Sequence, residues 1–200
     1  MSLTLKNICK ILDNPIISPN AYKHVLEFGT WKGDSMETIR NNISHVFKIY
    51  GFDSFKGLPE DWPETVYKKG AFDLGGEIPE KLKKLDIKIF PGWFKDTIPE
   101  YIKEADDIAL LHIDCDIYSS TIDILYSDIK NYIKAGTYIV FDEWHYCQIV
   151  NGSSNIDDIV YKTEDALHEQ KAFKEWTKDY NIKYKLLKTI EPFRQAIEIL

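Results

Sequence analysis

The 200-residue chain has few cysteines, no excess of positive charge and no long apolar run. Its three cysteines form no CxxC pair, which fits reduced, structural thiols in a cytoplasmic protein. The net charge of −7 argues against nucleic acid as a partner, because binders of phosphate backbones normally present a basic face. No apolar stretch approaches the ~18 residues of a membrane span, and the N-terminal region lacks the apolar core of a signal peptide. We therefore expect a cytoplasmic protein without a nucleic-acid or membrane partner.

The sequence instead contains an alternation of strand-like and helix-like segments, with 44% hydrophobic residues to build a core. Such alternation predicts a parallel sheet with right-handed crossovers, and two closely spaced final strands predict an antiparallel addition at one edge. We expect one Rossmann-like α/β domain over residues 1–200, with a mostly parallel seven-stranded sheet and helices on both faces. The predicted strands are 24–28, 46–52, 86–90, 108–113, 138–141, 184–190 and 196–200. The predicted helices are a short one within 1–23, then 34–42, 120–133 and 158–179.

Two segments fall outside this alternation. Residues 1–23 are predicted to form a helix followed by a loop. Residues 54–80 are rich in proline and glycine and are predicted to form an irregular insert. Long irregular inserts in compact domains are usually functional or mobile, so this one is a candidate lid.

A glycine-rich turn follows the first predicted strand. Ligands of open α/β sheets bind beyond the carboxyl ends of the strands, and Gly29 and Gly33 allow a tight turn there. Asp53, at the end of the second strand, is placed to accept hydrogen bonds from ribose hydroxyls. Glu27, two residues before Gly29, would repel a pyrophosphate but suits a positively charged ligand. The pattern favours S-adenosylmethionine over NAD, and the alternative is a plain strand–helix turn with a solvated Asp53.

Two further strands end in carboxylates. Asp114 and Asp116 follow the fourth predicted strand, and Asp142 and Glu143 follow the fifth. Oxygen ligands on neighbouring strands suit Mg²⁺ or Ca²⁺, and converging acids need either a cation or raised pKa values. We predict a divalent metal site, with Mg²⁺ favoured, at Asp114, Asp142 and Glu143; the alternative for Asp142 and Glu143 is a helix cap. Asp116 is a candidate metal ligand or general base, and His145 is a second candidate base that equally fits a packed side chain.

Five ordered blocks of this sequence resemble the TylF-type (macrocin) O-methyltransferases, which are class I S-adenosylmethionine enzymes that often need Mg²⁺. The blocks are EFGTWKGDS (27–35), GFDSFKGLP (51–59), GWFKDTIP (92–99), HIDCDIYSST (112–121) and VFDE (140–143). The resemblance implies that one set of residues binds the cofactor: Glu27, Gly29, Thr30, Gly33 and Ser35 at its methionine part, Asp53 and Ser54 at the ribose, Gly92 and Trp93 by the adenine, and Asp114 beside it.

By the same matching, Asp114, Asp142 and Glu143 hold the metal and Asp116 is the base. Glu143 stands where some relatives have aspartate. The expected activity is methyl transfer to a hydroxyl of a sugar or another small polyol, with a small-molecule acceptor as partner. Homodimers are common among such enzymes, so the resemblance is compatible with a homodimer. Two rival functions remain at this point: a metal-dependent glycosyltransferase, suggested by the Asp114-x-Asp116 pair, and a catalytically silent S-adenosylmethionine-binding module.

Overall fold

The computed structural model describes residues 4–14, 24–63, 65–144, 146–149, 159–162, 168–189 and 193–200, and only the backbone of 146–149 and 159–162. Within these ranges the strands are β1 His24–Phe28, β2 Lys48–Asp53, β3 Lys88–Pro91, β4 Ile108–Ile113, β5 Tyr138–Phe141, β6 Tyr146–Ile149, β7 Ile159–Lys162, β8 Tyr184–Leu187 and β9 Gln195–Ile199. The helices are α1 Leu5–Leu12, α2 Asp34–Asn42, α3 Glu80–Lys83, α4 Phe94–Ile102, α5 Tyr118–Leu125 and α6 His168–Asp179, with a 3₁₀ helix at Asp128–Tyr132.

The main sheet has seven strands in the order β3-β2-β1-β4-β5-β9-β8. Strands β1 to β5 pair in parallel, whereas β9 pairs antiparallel with both β5 and β8. This confirms the predicted Rossmann-like sheet with its antiparallel edge. Strands β6 and β7 form a separate antiparallel pair that the sequence pattern did not predict. Among the described residues, no helix has the length and apolar character needed to cross a membrane.

Two hydrophobic layers cover the two faces of the sheet. On one face, Leu26 and Phe28 pack with Phe173 and Trp176 of α6. On the other face, Val25 packs with α1, α2 and α3. Because side chains alternate along a strand, Glu27 shares the Val25 face and points towards α2. All of β1 and β4 is therefore buried, as expected of central parallel strands.

Several element boundaries differ from the sequence-based expectation. Strand β2 begins at Lys48 rather than at residue 46, and Val46 is exposed. Residues 159–162 form β7, so the predicted helix over 158–179 is wrong in its first part, and α6 begins at His168. A short apolar run fits a helix face or a strand equally well, and here pairing with β6 selects the strand.

The helix predicted over 120–133 is two shorter elements. Ile117 is the N-cap of α5, so the helix begins before Ser120, which lies inside it. Helix α5 ends at Leu125, and the Ser127 side chain caps the following 3₁₀ helix by accepting the Ile129 N–H at 3.2 Å. Helix α4 was not predicted because the proline–glycine pair before it indicates only a break.

The insert over 54–80 packs on the start of α5. Leu58 and Trp62 form a small buried cluster with Ile117, the residue that follows Asp116. The Ser119 hydroxyl donates to Glu60 at 2.6 Å. The insert therefore lies beside the carboxyl end of β4, and its role as a lid stays a prediction.

Candidate active site

The turn after β1 brings two loops into direct backbone contact. Gly29 has φ +89°, and a Cβ at this position would lie 1.7 Å from the Asp114 carbonyl oxygen. The Gly29 N–H donates to the Phe52 carbonyl, and the Asp114 N–H donates to the Phe28 carbonyl, both at 2.9 Å. Only glycine fits this position, since it alone adopts the conformation freely and leaves room for the neighbouring backbone. The glycine turn and the acid-bearing loop after β4 are thus one packed unit.

Asp53 holds the glycine turn from the neighbouring strand. Its carboxylate accepts the Trp31 N–H and the Phe55 N–H, each at 2.7 Å. Trp31 has φ +39°, an unusual conformation for a residue with a side chain. Burial raises the pKa of Asp53, although its backbone N–H donors act in the opposite direction. Asp53 therefore fixes the turn in addition to any contact with a ligand.

Glu27 is fully buried beneath this turn. The Ser35 hydroxyl donates to its Oε1, whereas Oε2 has no hydrogen-bond partner, and neither has the buried Thr30 hydroxyl. Buried polar atoms are normally paired, so the unpaired Thr30 hydroxyl at the cleft fits a polar ligand. Ser35 and Thr30 line the cleft described below, and Glu27 lies behind them.

One cleft of about 630 Å³ joins the glycine turn to the acids at the ends of β4 and β5. Its walls include side chains of the insert and the first residues of α4. Most of the predicted site residues line it: Gly29, Thr30, Gly33, Ser35, Asp53, Ser54, Trp93, Asp114, Asp116 and Glu143. Glu27, Gly92 and Asp142 do not line the cleft, and His145 lies outside the described residues.

Three carboxylates converge at the far end of the cleft. Asp114, Asp116 and Glu143 each offer one oxygen, and these oxygens lie within 4.8 Å of one another. Burial raises the pKa of Asp114, and the charge of Asp142 raises it further; burial and then the charge of Asp114 raise the pKa of Glu143. Burial, with the charges of Asp142 and Asp53, raises the pKa of Asp116 to about 7. Asp116 also has φ +66°, a strained conformation of the kind that clusters at functional sites.

Asp142 lies apart from this cluster in a different electrostatic setting. Its carboxylate pairs with the Arg194 guanidinium and lies 3.7 Å from His112 Nε2. Burial alone would raise the pKa of Asp142, but these two cations outweigh it and lower the pKa. His112 Nδ1 lies 3.7 Å from Glu27, too far for a hydrogen bond but close enough for an ion pair. Groups of alternating charge therefore lie in a row, in the order Glu27, His112, Asp142 and Arg194.

The protonation of His112 follows from this row. Burial by itself would lower the pKa of the imidazole, but the carboxylates of Asp142 and Glu27 outweigh burial and raise the pKa to about 10. A charged His112 neutralises part of the negative charge that Glu27 and Asp142 place in the core. Asp142 thus pairs with two cations of the chain itself, whereas the charge of His112 offsets only part of the rise in the pKa of Asp114, which lines the cleft.

Helix α6 contributes a fourth carboxylate from behind the cleft. Glu169 is fully buried; its Oε1 accepts the Cys115 N–H at 3.2 Å and its Oε2 accepts the Glu143 N–H at 3.0 Å. Burial raises the pKa of Glu169 to about 8, although the two N–H donors act in the opposite direction. Cys115 itself is buried with its Sγ 3.4 Å from the Thr121 hydroxyl, as expected of a reduced, structural thiol.

A profile of the Macrocin-O-methyltransferase (TylF) family matches residues 4–170. The chain belongs to this family. The demethyldecarbamoylnovobiocin O-methyltransferase of Streptomyces niveus is 25% identical over a match of 162 aligned positions that covers 72% of this chain and 60% of that protein. The 8-demethyl-8-(2,3-dimethoxy-alpha-L-rhamnosyl)-tetracenomycin-C 4'-O-methyltransferase of Streptomyces olivaceus is 24% identical over 139 residues, 60% and 52% of the two chains. The present chain thus spans little more than half the length of these relatives.

Two solved methyltransferase structures share the fold. The O-methyltransferase NovP superposes with a TM-score of 0.66 at 22% identity, over 97% of this chain and 78% of that one. The calicheamicin methyltransferase CalS11 gives the same TM-score at 19% identity, over 97% and 77% of the two chains. This likeness confirms the class I methyltransferase fold.

The resemblance seen in the sequence implies a divalent cation, and the chemistry of the acid cluster bears on whether one would fit there. Three partly buried carboxylates with raised pKa values are costly to ionise together without a cation. Glu143 Oε2 is buried without a hydrogen-bond partner, which leaves a lone pair for a ligand. Carboxylate oxygens are the ligands that Mg²⁺ and Ca²⁺ prefer. The residues of the cluster therefore fit a divalent cation.

Three residues of the site were not identified from the sequence. His112 interrupts an otherwise apolar strand, a signal that a buried polar side chain needs partners. Glu169 lies on the buried face of α6 with Phe173 and Trp176, at helical spacing, where a carboxylate is unusual. Arg194 gives no local signal, because its partner Asp142 is 52 residues away.

Proposed function

We propose that the protein is an S-adenosylmethionine-dependent O-methyltransferase that acts, with a divalent cation, on a hydroxyl of a sugar or another small polyol. The observation that carries the proposal is the single cleft that joins the glycine turn to the acid cluster. Membership of the family supports the reaction type. The rhamnosyl group in the name of one relative supports a sugar acceptor.

The glycine-turn half of the cleft is the proposed cofactor site. Bound S-adenosylmethionine supplies the methyl group. Thr30 and Ser35 line this half, and the negative charge of Glu27 behind them favours the cationic methionine part of the cofactor. Asp53 and Ser54 are proposed to hold the ribose, with Gly92 and Trp93 by the adenine.

The acid half is the proposed site of the acceptor. Asp116 lines the cleft beside Asp114 and is proposed to take the proton of the acceptor hydroxyl. The hydroxyl oxygen forms the new bond to the methyl carbon, the carbon–sulfur bond breaks, and its electron pair stays on sulfur. Alignment of nucleophile, carbon and leaving group is the main requirement of such a step. His145, the other candidate base, stays a prediction.

The cation is proposed to bind through Asp114 and Glu143. A bound divalent cation lowers the pKa of a coordinated hydroxyl. The observed geometry favours Asp116 over Asp142 as the third carboxylate, because Asp116 lines the cleft within the acid cluster, whereas Asp142 does not line it and pairs with Arg194. The Oδ1 atom of Asp142 becomes available as a ligand only if Arg194 withdraws. Asp116 has two oxygens, so coordination through one leaves the other to accept a proton.

Transfer of a labelled methyl group to a panel of sugars, nucleotide sugars and glycosylated aglycones tests the proposal. We expect labelled product in Mg²⁺, and a loss of at least about a hundredfold in Asp116→Asn, the size typical of a removed general base. Asp86→Asn is a matched control, because Asp86 is exposed and pairs only weakly across the surface. No labelled product with any acceptor would contradict the proposed function.

Two binding measurements separate the proposal from its rivals. Calorimetry should detect S-adenosylhomocysteine and not UDP, whereas a metal-dependent glycosyltransferase would show the reverse. A silent cofactor-binding module would bind S-adenosylhomocysteine without ever yielding a methylated product. Homodimer formation and a cytoplasmic location stay predictions, and sedimentation velocity tests the first of them.

A further inference from the structure

Glu169 is the buried carboxylate for which the proposed reaction has no direct use. Its two oxygens accept two backbone N–H groups from two different loops, one after β4 and one after β5. Among the described residues, no other group accepts either the Cys115 N–H or the Glu143 N–H. One side chain of α6 thus ties together the two loops that carry the acids.

This tie acts on the directions of the acid side chains. Cys115 stands between Asp114 and Asp116, so fixing its peptide group limits how both neighbours can turn. The second oxygen fixes the peptide group of Glu143 itself. Asp116 has φ +66°, and a conformation of that kind persists only where the surroundings hold it. Both oxygens of one carboxylate share a carbon atom, so the tie also fixes the separation of the two loops.

Docking of α6 does not explain the residue. Phe173 and Trp176 anchor the helix in the core, and Glu175 accepts the Tyr118 hydroxyl at 2.6 Å at its outer edge. A buried carboxylate is costly to desolvate, and an apolar side chain of similar size is often neutral or stabilising at such a place. The two loops are therefore the part of the molecule that gains from a carboxylate at position 169.

We propose that Glu169 is a positioning residue, which holds Asp114, Asp116 and Glu143 in the arrangement that binds the cation. This inference rests on the function proposed above. Residues that do not touch the metal but orient its ligands typically change metal affinity by about 10–100-fold. We expect a loss of about tenfold in Mn²⁺ affinity when the tie is broken, and a smaller loss of S-adenosylhomocysteine affinity, because Asp53 holds the glycine turn independently of Glu169.

The test compares three variants of the full chain with the wild type. Glu169→Gln keeps the size and one acceptor oxygen, and Glu169→Asp keeps the charge but draws both oxygens back by one methylene. Glu175→Gln makes the same chemical change on the same helix, away from the loops. Mn²⁺ binding by electron paramagnetic resonance should weaken in both Glu169 variants and stay unchanged in Glu175→Gln. Wild-type affinity in Glu169→Asp or Glu169→Gln would overturn the proposal.

Amide hydrogen exchange by NMR provides a readout that does not depend on the cation. The Cys115 and Glu143 amides should be protected in the wild type and in Glu175→Gln, and should exchange faster in Glu169→Gln. Unchanged protection in Glu169→Gln would overturn the tie itself. Lost protection with wild-type Mn²⁺ affinity would show a structural role only and overturn the positioning role. A wild type with protected amides but no Mn²⁺ binding would overturn the cation part of the proposed function, and the positioning role with it.

Discussion

Replacement of Gly29 by alanine is expected to damage stability and the site together. The new Cβ would lie 1.7 Å from the Asp114 carbonyl oxygen, half the 3.4 Å of an ordinary contact. A left-handed conformation costs a residue with a Cβ about 1–2 kcal/mol. Forcing an extra carbon into a packed region typically costs a further amount of about 1–3 kcal/mol. We therefore expect Gly29→Ala to lower the free energy of unfolding by about 2–5 kcal/mol.

Gly70→Ala separates the two contributions. Gly70 has a similar φ of +81°, but a Cβ there would meet nothing within 4 Å. This control should therefore lose only the conformational part, about 1–2 kcal/mol. Urea unfolding followed by circular dichroism measures both variants under the same conditions.

Gly29→Ala should also change ligand binding, whereas Gly70→Ala should not. Relief of the clash must displace the Asp114 backbone or the glycine turn, so Gly29→Ala should weaken S-adenosylhomocysteine and Mn²⁺ binding at once. Gly70→Ala should bind both ligands as the wild type does. If Gly29→Ala were no less stable than Gly70→Ala and bound both ligands normally, the close contact between the two loops would be refuted.

Two further predictions concern charge. Arg194→Gln should tighten Mn²⁺ binding several-fold, because it removes a cation beside the acid cluster and releases Asp142 as a ligand. Electron paramagnetic resonance measures the binding. Weaker Mn²⁺ binding in the variant would contradict the view that Arg194 keeps Asp142 out of the acid cluster. Burial lowers the pKa of His24 below its ordinary 6.5, so the unfolded chain takes up a proton that the folded state resists, and stability falls as the pH drops below about 6.5. His24→Asn, whose side-chain oxygen can replace Nδ1 as acceptor of the Asp106 N–H, should show a shallower loss of unfolding free energy between about pH 7.5 and 5.5, measured by urea titration. An equal pH slope in His24→Asn and wild type would contradict this assignment.

The central strands could be predicted closely from the sequence because both of their faces are buried. Strands β1, β4 and β5 have the predicted bounds, since continuous apolar runs between turns leave little choice. The bounds of the outer and later elements were harder to predict. Residues 159–162 continue an amphipathic pattern into α6, and only the pairing of β7 with β6 decides their conformation. Local propensity cannot supply such a long-range partner.

The candidate site also has a part that the sequence predicts and a part that it does not. The rule that ligands bind beyond the carboxyl ends of the strands places the glycine turn, Asp53 and the acids at one edge of the sheet. The sequence alone cannot show that Asp142 pairs with Arg194 while Asp114, Asp116 and Glu143 face the cleft. That division depends on side-chain directions and on a residue from the other end of the chain.

Methyl transfer by the wild type and by Asp116→Asn, each with Mg²⁺ and with a chelator, tests the central claim most directly. The account predicts a methylated hydroxyl product from the wild type in Mg²⁺ that falls at least about a hundredfold in Asp116→Asn and is lost on chelation. Methyl transfer that continues undiminished in the variant and under chelation would contradict a site built on these carboxylates.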